Sequence, residues 1–317
     1  MQIQPLSFST FTAEIFMRIA AIDIGSNAIR LQVSTLFRYN GRDTIKNLEY
    51  IRFPLRLGQD VFSQGKILPE TAERLYRLMD AFRILLDLYE VASFRACATS
   101  AFRDAANGVQ IAAEVQNRSG IDIEILSGET EASLLSLALI RHLDDSCNLH
   151  IDVGGGSTEL NLYLHRKKLD SFSFNLGSVR SLNNGSNSTG WLQMENWLRE
   201  HLKPEFYPIQ AIGTGGNISK LYDLHPGKKK KVKFLTLADL QTVHLMISRM
   251  SVEDRIHQLL LNPDRADVIL PASEIYLQTM HLAKARKILI PDLGLKDGIL
   301  ETQYQLVKNK IPSYTSL

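Results

Sequence analysis

Short apolar runs alternate along the chain with longer stretches of helical spacing. Ile19 to Ile24 is apolar except for Asp23, "GSN" follows, and Ile29, Leu31 and Val33 then alternate with Arg30, Gln32 and Ser34. The run predicts a buried strand, the tripeptide a turn, and the alternation a half-buried second strand. The same pattern returns at 151–164. Ile151 to Val153 predicts a buried strand and "GGGS" a turn, after which Leu160, Leu162 and Leu164 alternate with Glu159, Asn161 and Tyr163. Placing Asp23 on Asp152 puts Gly25 on Gly154 and Leu31 on Leu160 without a gap, which predicts a duplicated strand-turn-strand unit.

Between the two units Pro69 opens a long amphipathic helix with Leu75, Leu78, Met79, Phe82, Leu85 and Leu86 on one face. "FRACATSAFRDAANG" then reads as a strand, a loop and a helix start, and "IDIEILSGETEASLLSLALI" as a strand followed by a helix. "AIGTGGNISKL" reads as a strand ending in a glycine-rich turn, with a helix from about Asn217, and Leu295 to Lys308 as a last helix. Strands and helices that alternate in this way predict α/β architecture.

Length changes the picture only by suggesting two domains of about 150 residues each. The 317 residues are 44% hydrophobic and 22% charged, an ordinary globular composition, and the formal charge of +2 gives no global reason to expect nucleic acid or a membrane as partner. Cys97 and Cys147 stand apart in apolar surroundings, so neither a disulfide framework nor a zinc site is expected, and a reducing cytoplasm suits the chain. No run reaches the roughly 18 apolar residues of a membrane span, and no signal peptide is expected. The polar opening "MQIQPLSFSTFTAEIF" reads as an extra arm at 1–17, or as lying upstream of a true start at Met17. "GKKKKVK" at 227–233 reads as a solvated loop or, beside a cleft, as an attractor of polyanions.

The chemistry lies in the glycine turns. Three adjacent glycines at 154–156 cost backbone entropy, which a close approach to a ligand would offset, and successive amides in such a turn can hold an anion. Phosphate is the obvious ligand; a hairpin turn needing positive φ is the bland alternative.

With both turns in view, the chain resembles the exopolyphosphatase and guanosine pentaphosphate phosphohydrolase family, within the actin, Hsp70 and sugar kinase superfamily. The resemblance is carried in order by "AIDIGSNAIRL" (21–31), "ATSAFRDAANG" (98–108), "ILSGETEASL" (125–134), "IDVGGGSTEL" (151–160), "NLGSVR" (175–180), "GTGGNISKL" (213–221) and "RADVILPA" (265–272). It implies two actin-like (ribonuclease H-like) domains with a cleft between them, expected at 1–138 and 139–294, with a C-terminal helix from about 295 to 317 packing back on the first. It is similar to the short form, without the additional helical domains of longer members. One departure is Thr130, which interrupts the acid run of the family between Glu129 and Glu131.

Hydrolysis of a phosphoanhydride needs charge neutralisation, a positioned water and a grip on the remaining chain. Amides around Gly154, Gly155, Gly156 and Ser157, with Thr158, form one candidate phosphate cradle, and those around Gly25, Ser26 and Asn27 another. Asp152 at a strand end would be costly to bury alone, so Asp152 with Glu159, assisted by Asp23, is the candidate seat for Mg²⁺ or another divalent cation. The alternative is that these acids cap their own turns. The resemblance implies that Glu131 is the general base and that Arg103 faces the cleft to contact phosphate; as residues alone they read as a helix-start acid and a surface ion pair. Arg30 aligns with Glu159 and is expected to point toward the cleft. Thr99 and Ser100 would donate to phosphate or cap a helix, and Gly213, Gly215 and Gly216 would bind an anion or serve packing.

The expected substrate is polyphosphate, with guanosine pentaphosphate as an alternative, and a homodimer is one oligomeric option. The alternatives are an ATP-dependent kinase of the same superfamily and an alarmone or polyphosphate sensor without turnover. A filament protein is disfavoured because it would leave the acids and Arg103 without a role.

Overall fold

The computed structural model describes residues 16–184, 188–227, 232–311 and 313–314. Of the opening arm expected at 1–17, residues 1–15 lie outside the described residues, as do the lysines at 228–231, and Met17 already belongs to the first strand. The first unit forms β1 (Met17–Ile24), β2 (Ile29–Tyr39) and β3 (Arg42–Phe53), followed by β4 (Ser93–Ala98) and β5 (Ile123–Ile125). The second forms β6 (Asn148–Val153), β7 (Thr158–Leu164) and β8 (Lys167–Phe174), followed by β9 (Gln210–Thr214), β10 (Phe234–Thr236) and β11 (Lys287–Leu289). A last short strand, β12 (Ser313–Tyr314), pairs with the end of β2.

The two sheets repeat one topology. The first runs β3-β2-β1-β4-β5 and the second β8-β7-β6-β9-β11, with β10 added at the edge. In each, an antiparallel three-stranded meander is extended by parallel strands. The registers coincide as well: Asp23 pairs with Arg30 across β1 and β2, as Asp152 pairs with Glu159 across β6 and β7. Each turn is closed by the same backbone bond, Gly25 N to Ala28 O at 3.2 Å and Gly154 N to Ser157 O at 2.9 Å. The duplication expected from the ungapped alignment is thus present in hydrogen-bond detail.

Helices cover the sheets through their apolar stripes. The Pro69–Leu88 helix buries Leu75, Met79, Phe82 and Leu86 against one face of the first sheet, each contributing roughly 1.5–3 kcal/mol. The other face is covered by the Gly128–Leu139 and Leu295–Val307 helices, through Leu134, Leu135, Ile299 and Leu300. The last helix therefore returns to the first sheet. The Gly215–Leu224 helix begins two residues earlier than the sequence suggests, because both glycines join its first turn against neighbours that leave no room for side chains. Among the described residues no helix is long and apolar enough to cross a membrane.

A Cβ at Gly298 would run into the Leu134 carbonyl, so this glycine sets how closely the last helix approaches the Gly128–Leu139 helix. Gly298→Ala is expected to cost about 1–3 kcal/mol of stability, whereas Gly294→Ala, with nothing within 4 Å of its Cβ, should leave the urea midpoint nearly unchanged. Equal midpoints for the two variants would show that the helix pair has slack.

Candidate active site

The two glycine turns meet. A Cβ at Gly155 would stand 2.9 Å from Ser26 Cβ and 3.4 Å from the Asn27 amide, so only glycine permits the contact. The carbonyls of Gly154, Gly155 and Gly156 are taken by the "GSVR" segment: Ser178 N donates to Gly154, Val179 N and Arg180 N to Gly155, and Arg180 Nε to Gly156. Ser26 Oγ lies 2.9 Å from Ser100 Oγ, tying the first turn to the helix that follows β4.

A cavity of about 530 Å³ opens along this seam. Of the expected site residues it is lined by Asp23, Gly25, Ser26 and Asn27 from the first unit and by Asp152, Gly154, Gly155 and Ser157 from the second. Glu131, Gly215 and Gly216 join them, as do Thr99 and Ser100. Arg30, Arg52, Lys220, Arg265 and Lys296 supply positive charge along the same wall.

Several expected residues stand elsewhere. Thr158 is buried and its hydroxyl donates to Leu176 O at 2.5 Å, so it holds the "NLGSVR" segment instead of facing the cavity. Gly213 lies within β9 against Ile288 and Ile218 and is a packing glycine. Gly156 is enclosed by Phe62 and Ser100. Glu159 and Arg103 stand behind the wall, where both bear on Glu131 electrostatically. Gly215 is constrained twice: its φ is +86, and a Cβ there would be 2.7 Å from Asp152 Oδ1.

Glu131 occupies the first turn of the Gly128–Leu139 helix, capped by Ser127 Oγ, which accepts from Thr130 N at 3.1 Å. Thr130 Oγ1 also lies 2.9 Å from Ser127 Oγ, so the residue that interrupts the acid run reinforces the cap. Glu129 is exposed, whereas Glu131 is 7% exposed and its Oε2 is buried without a hydrogen-bond partner. Its nearest cation is Arg103, whose Nη1 is 3.8 Å from that oxygen and donates to Leu126 O at 2.8 Å. The expected surface pair of Arg103 with Asp104 or Glu114 does not form, since Asp104 pairs with Arg180.

Burial raises the carboxyls of this cluster, and neighbouring acids add to the effect at Glu131 and Asp152. Burial pushes the Glu131 carboxyl well above its usual range, with Glu159 and Asp152 adding to the effect and Arg103 opposing it. Burial, then Glu159 and Asp23, push Asp152 up to about 7. Glu159 is raised by burial against hydrogen bonds to its Oε1 from Ser157 at 2.6 Å and Ser173 at 2.8 Å. Asp23 differs: Arg30 Nη1 reaches its Oδ2 at 2.9 Å, so its charge is already met within the protein. Among the described residues no three acids, histidines or cysteines converge as a closed metal cage. Unneutralised carboxylates at a cavity wall still fit a cation that takes one or two protein ligands and keeps its waters.

The segment 263–267 bridges the seam. Asp264 O accepts from Asn27 Nδ2 at 2.8 Å while its carboxylate pairs with Arg52, Asp267 pairs with Arg56 at 2.5 Å, and Arg265 Nη1 donates to Gly216 O at 2.7 Å. "RADV" marked this segment in the sequence, but the partners of Asp264 and Asp267 lie more than two hundred residues away and carried no local signal.

Two sheets of one topology that meet at paired glycine turns and a ring of acids define an α/β protein of the actin-like class. Residues 39–306 match the sequence profile of the Ppx/GppA phosphatase family, and the chain belongs to that family. It is 26% identical over 310 residues to Exopolyphosphatase 1 of Mycobacterium tuberculosis, across 90% of this chain and 87% of that protein. The solved PPX-GPPA enzyme of Aquifex aeolicus superposes with a TM-score of 0.72 at 26% identity, over 90% of this chain and 99% of its own. An exopolyphosphatase from Cytophaga hutchinsonii shares the fold with a TM-score of 0.78 at 24% identity, over 91% and 98%.

An acid whose pKa rises from 3.8 to about 7 on folding stabilises the fold fully below the lower value and loses that contribution as pH rises through the upper one. Asp152→Asn removes this dependence. In EDTA the variant should match the wild type near pH 4 and melt at a higher temperature at pH 8. A lower melting temperature at pH 8 would show that the Asp152 charge is compensated within the protein.

Proposed function

We propose that this protein is an exopolyphosphatase-type hydrolase that releases terminal phosphate from inorganic polyphosphate, and that guanosine pentaphosphate, which carries the same phosphoanhydride, is a second substrate. The observation that carries the reading is the buried Glu131 oxygen without a partner, on the wall of a cavity ringed by glycine turns and cations. A carboxylate that burial holds above its usual range suits a general base, since it takes up a water proton more readily than an ordinary glutamate.

In this reading the domains are 1–138 with the last helix and 139–294, and each contributes one cradle. Amides at Gly25, Ser26 and Asn27 and at Gly154, Gly155 and Ser157 grip successive phosphates from opposite sides, with Gly215 and Gly216 at the next position. Glu131 orients a water against the terminal phosphorus. As the new oxygen–phosphorus bond forms and the bridging bond breaks, the water proton passes to Glu131 and the shortened chain leaves as its oxyanion. Arg103, behind the cavity wall, lies beside Glu131 and supports the charge of that base. Asp152 at the cavity wall, with Glu159 behind it, would hold Mg²⁺ or another divalent cation, which would neutralise charge on the phosphates. Asp23 serves chiefly to hold Arg30, because that ion pair already occupies its carboxylate.

Glu131→Gln is expected to slow phosphate release from polyphosphate by about 10²–10⁴-fold while calorimetric affinity for the chain stays within a few-fold. Unchanged turnover would remove Glu131 from the base role. In the wild type, kcat/KM should climb with pH on its acid limb, with an apparent pKa above that of an ordinary glutamate because the buried cluster resists ionisation. Release should require Mg²⁺ and stop in EDTA; equal rates in the two would take the cation out of the reaction.

A further inference from the structure

A second set of buried polar groups lies beneath Asp152. His150 stands two residues earlier on the same face of β6 and is fully buried. Its Nδ1 is 2.9 Å from Nδ2 of Asn161, its direct neighbour on β7, and its Nε2 is 2.9 Å from Oγ1 of Thr214 on β9. Thr214 is the register partner of Asp152, and its hydroxyl hydrogen-bonds that carboxylate. Tyr276 pins the strand ends, donating to Thr214 O at 2.9 Å and accepting from Val153 N at 3.3 Å.

One ordering of protons satisfies all these contacts. The Asn161 amide nitrogen only donates, so His150 Nδ1 accepts from it and the imidazole proton sits on Nε2. Thr214 Oγ1 then accepts from Nε2, which leaves its own hydroxyl proton for Asp152. Asn161 Oδ1 remains buried without a partner, a cost that the arrangement carries.

The fold itself does not require this network. The duplicated unit in the first half carries Ala21 where the second has His150 and Gln32 where it has Asn161, and Cys97 is the register partner of Asp23 as Thr214 is of Asp152. Ala21 and Cys97 are fully buried there in the same backbone. The first half holds its aspartate with Arg30 instead.

We propose that Asn161, His150 and Thr214 form a proton-ordered relay that fixes the Asp152 carboxylate for its work in the site, with His150 and Thr214 as positioning residues. The proposal rests on the phosphohydrolase reading, from which the work of Asp152 comes. Without the hydroxyl, Asp152 loses the donor that aims it, and groups of this kind behind a cation ligand typically change affinity or activity by about 10–100-fold.

The test uses the whole protein. With ¹⁵N-labelled histidine, the His150 signals should show a protonated Nε2 and an unprotonated Nδ1. Thr214→Val keeps the shape and removes the hydroxyl; calorimetric Mn²⁺ affinity should fall about tenfold or more, with kcat for polyphosphate falling and KM little changed, and Thr214→Ser should restore both. A proton on Nδ1, or wild-type Mn²⁺ affinity in Thr214→Val, would overturn the relay. Phosphate release with the opposite tautomer would overturn the relay alone, whereas a wild type that neither binds Mn²⁺ nor releases phosphate would overturn the hydrolase reading and the relay's purpose with it.

Discussion

The structure turns on like charges held together out of water. Glu131, Asp152 and Glu159 come from one helix and two adjacent strands, and burial keeps their carboxyls above the usual range, with neighbouring acids adding to the effect at Glu131 and Asp152. Such a cluster is costly unless a cation or a proton is supplied. The duplicated unit shows that the cost is local. At the same register the first half pairs Asp23 with Arg30 and is neutral, while the second pairs Asp152 with Glu159 and is doubly acidic. One backbone thus carries two electrostatic characters, and the acidic copy is the one beside Glu131.

Placement of that cluster depends on glycine. Gly155 lets the second turn touch the first, and Gly215 lets the Gly215–Leu224 helix start against Asp152 with φ at +86. A side chain at either position would hold the halves or the helix away and widen the cavity. The carbonyls of the 154–156 turn are meanwhile secured by residues 178–180, so the turn is held by its own half before any ligand arrives.

Much of this was legible in the chain. Alternation and an ungapped match between 23–31 and 152–160 carried the duplication, because a period of two fixes which side chains share a face. The same alternation put His150 with Asp152 and Asn161 with Glu159, a signal of polar residues on a buried face that motif reading passed over. What was not legible depended on cross-strand or distant neighbours. Nothing near Thr158 says that Leu176 O will take its hydroxyl, nothing near Gly213 announces Ile288, and Asp264 finds Arg52 only through the closed fold. Glu131 does sit in the first turn of its helix, as its residue type suggests; what no local signal showed is its burial beside Arg103, and the engagement of Asp104 by Arg180.

The seam between the halves carries polar and charged pairs, and this bears on how an anionic chain would enter between two turns that touch. The two large apolar clusters share no residue, and among the described residues only Val179 and Val268 of the second half enter the larger apolar cluster of the first. Across the mouth stand Asp264 with Asn27 and Arg52, Asp267 with Arg56, and Arg180 with Asp104. Parting the halves there would expose little apolar surface and would return charged groups to water, which solvates them well. An arriving polyanion would compete for the same arginines, so groups that join the two halves are also groups that such a chain could recruit. A seam of apolar side chains would offer no such exchange, and that difference is a physical reason for ion pairs at this mouth.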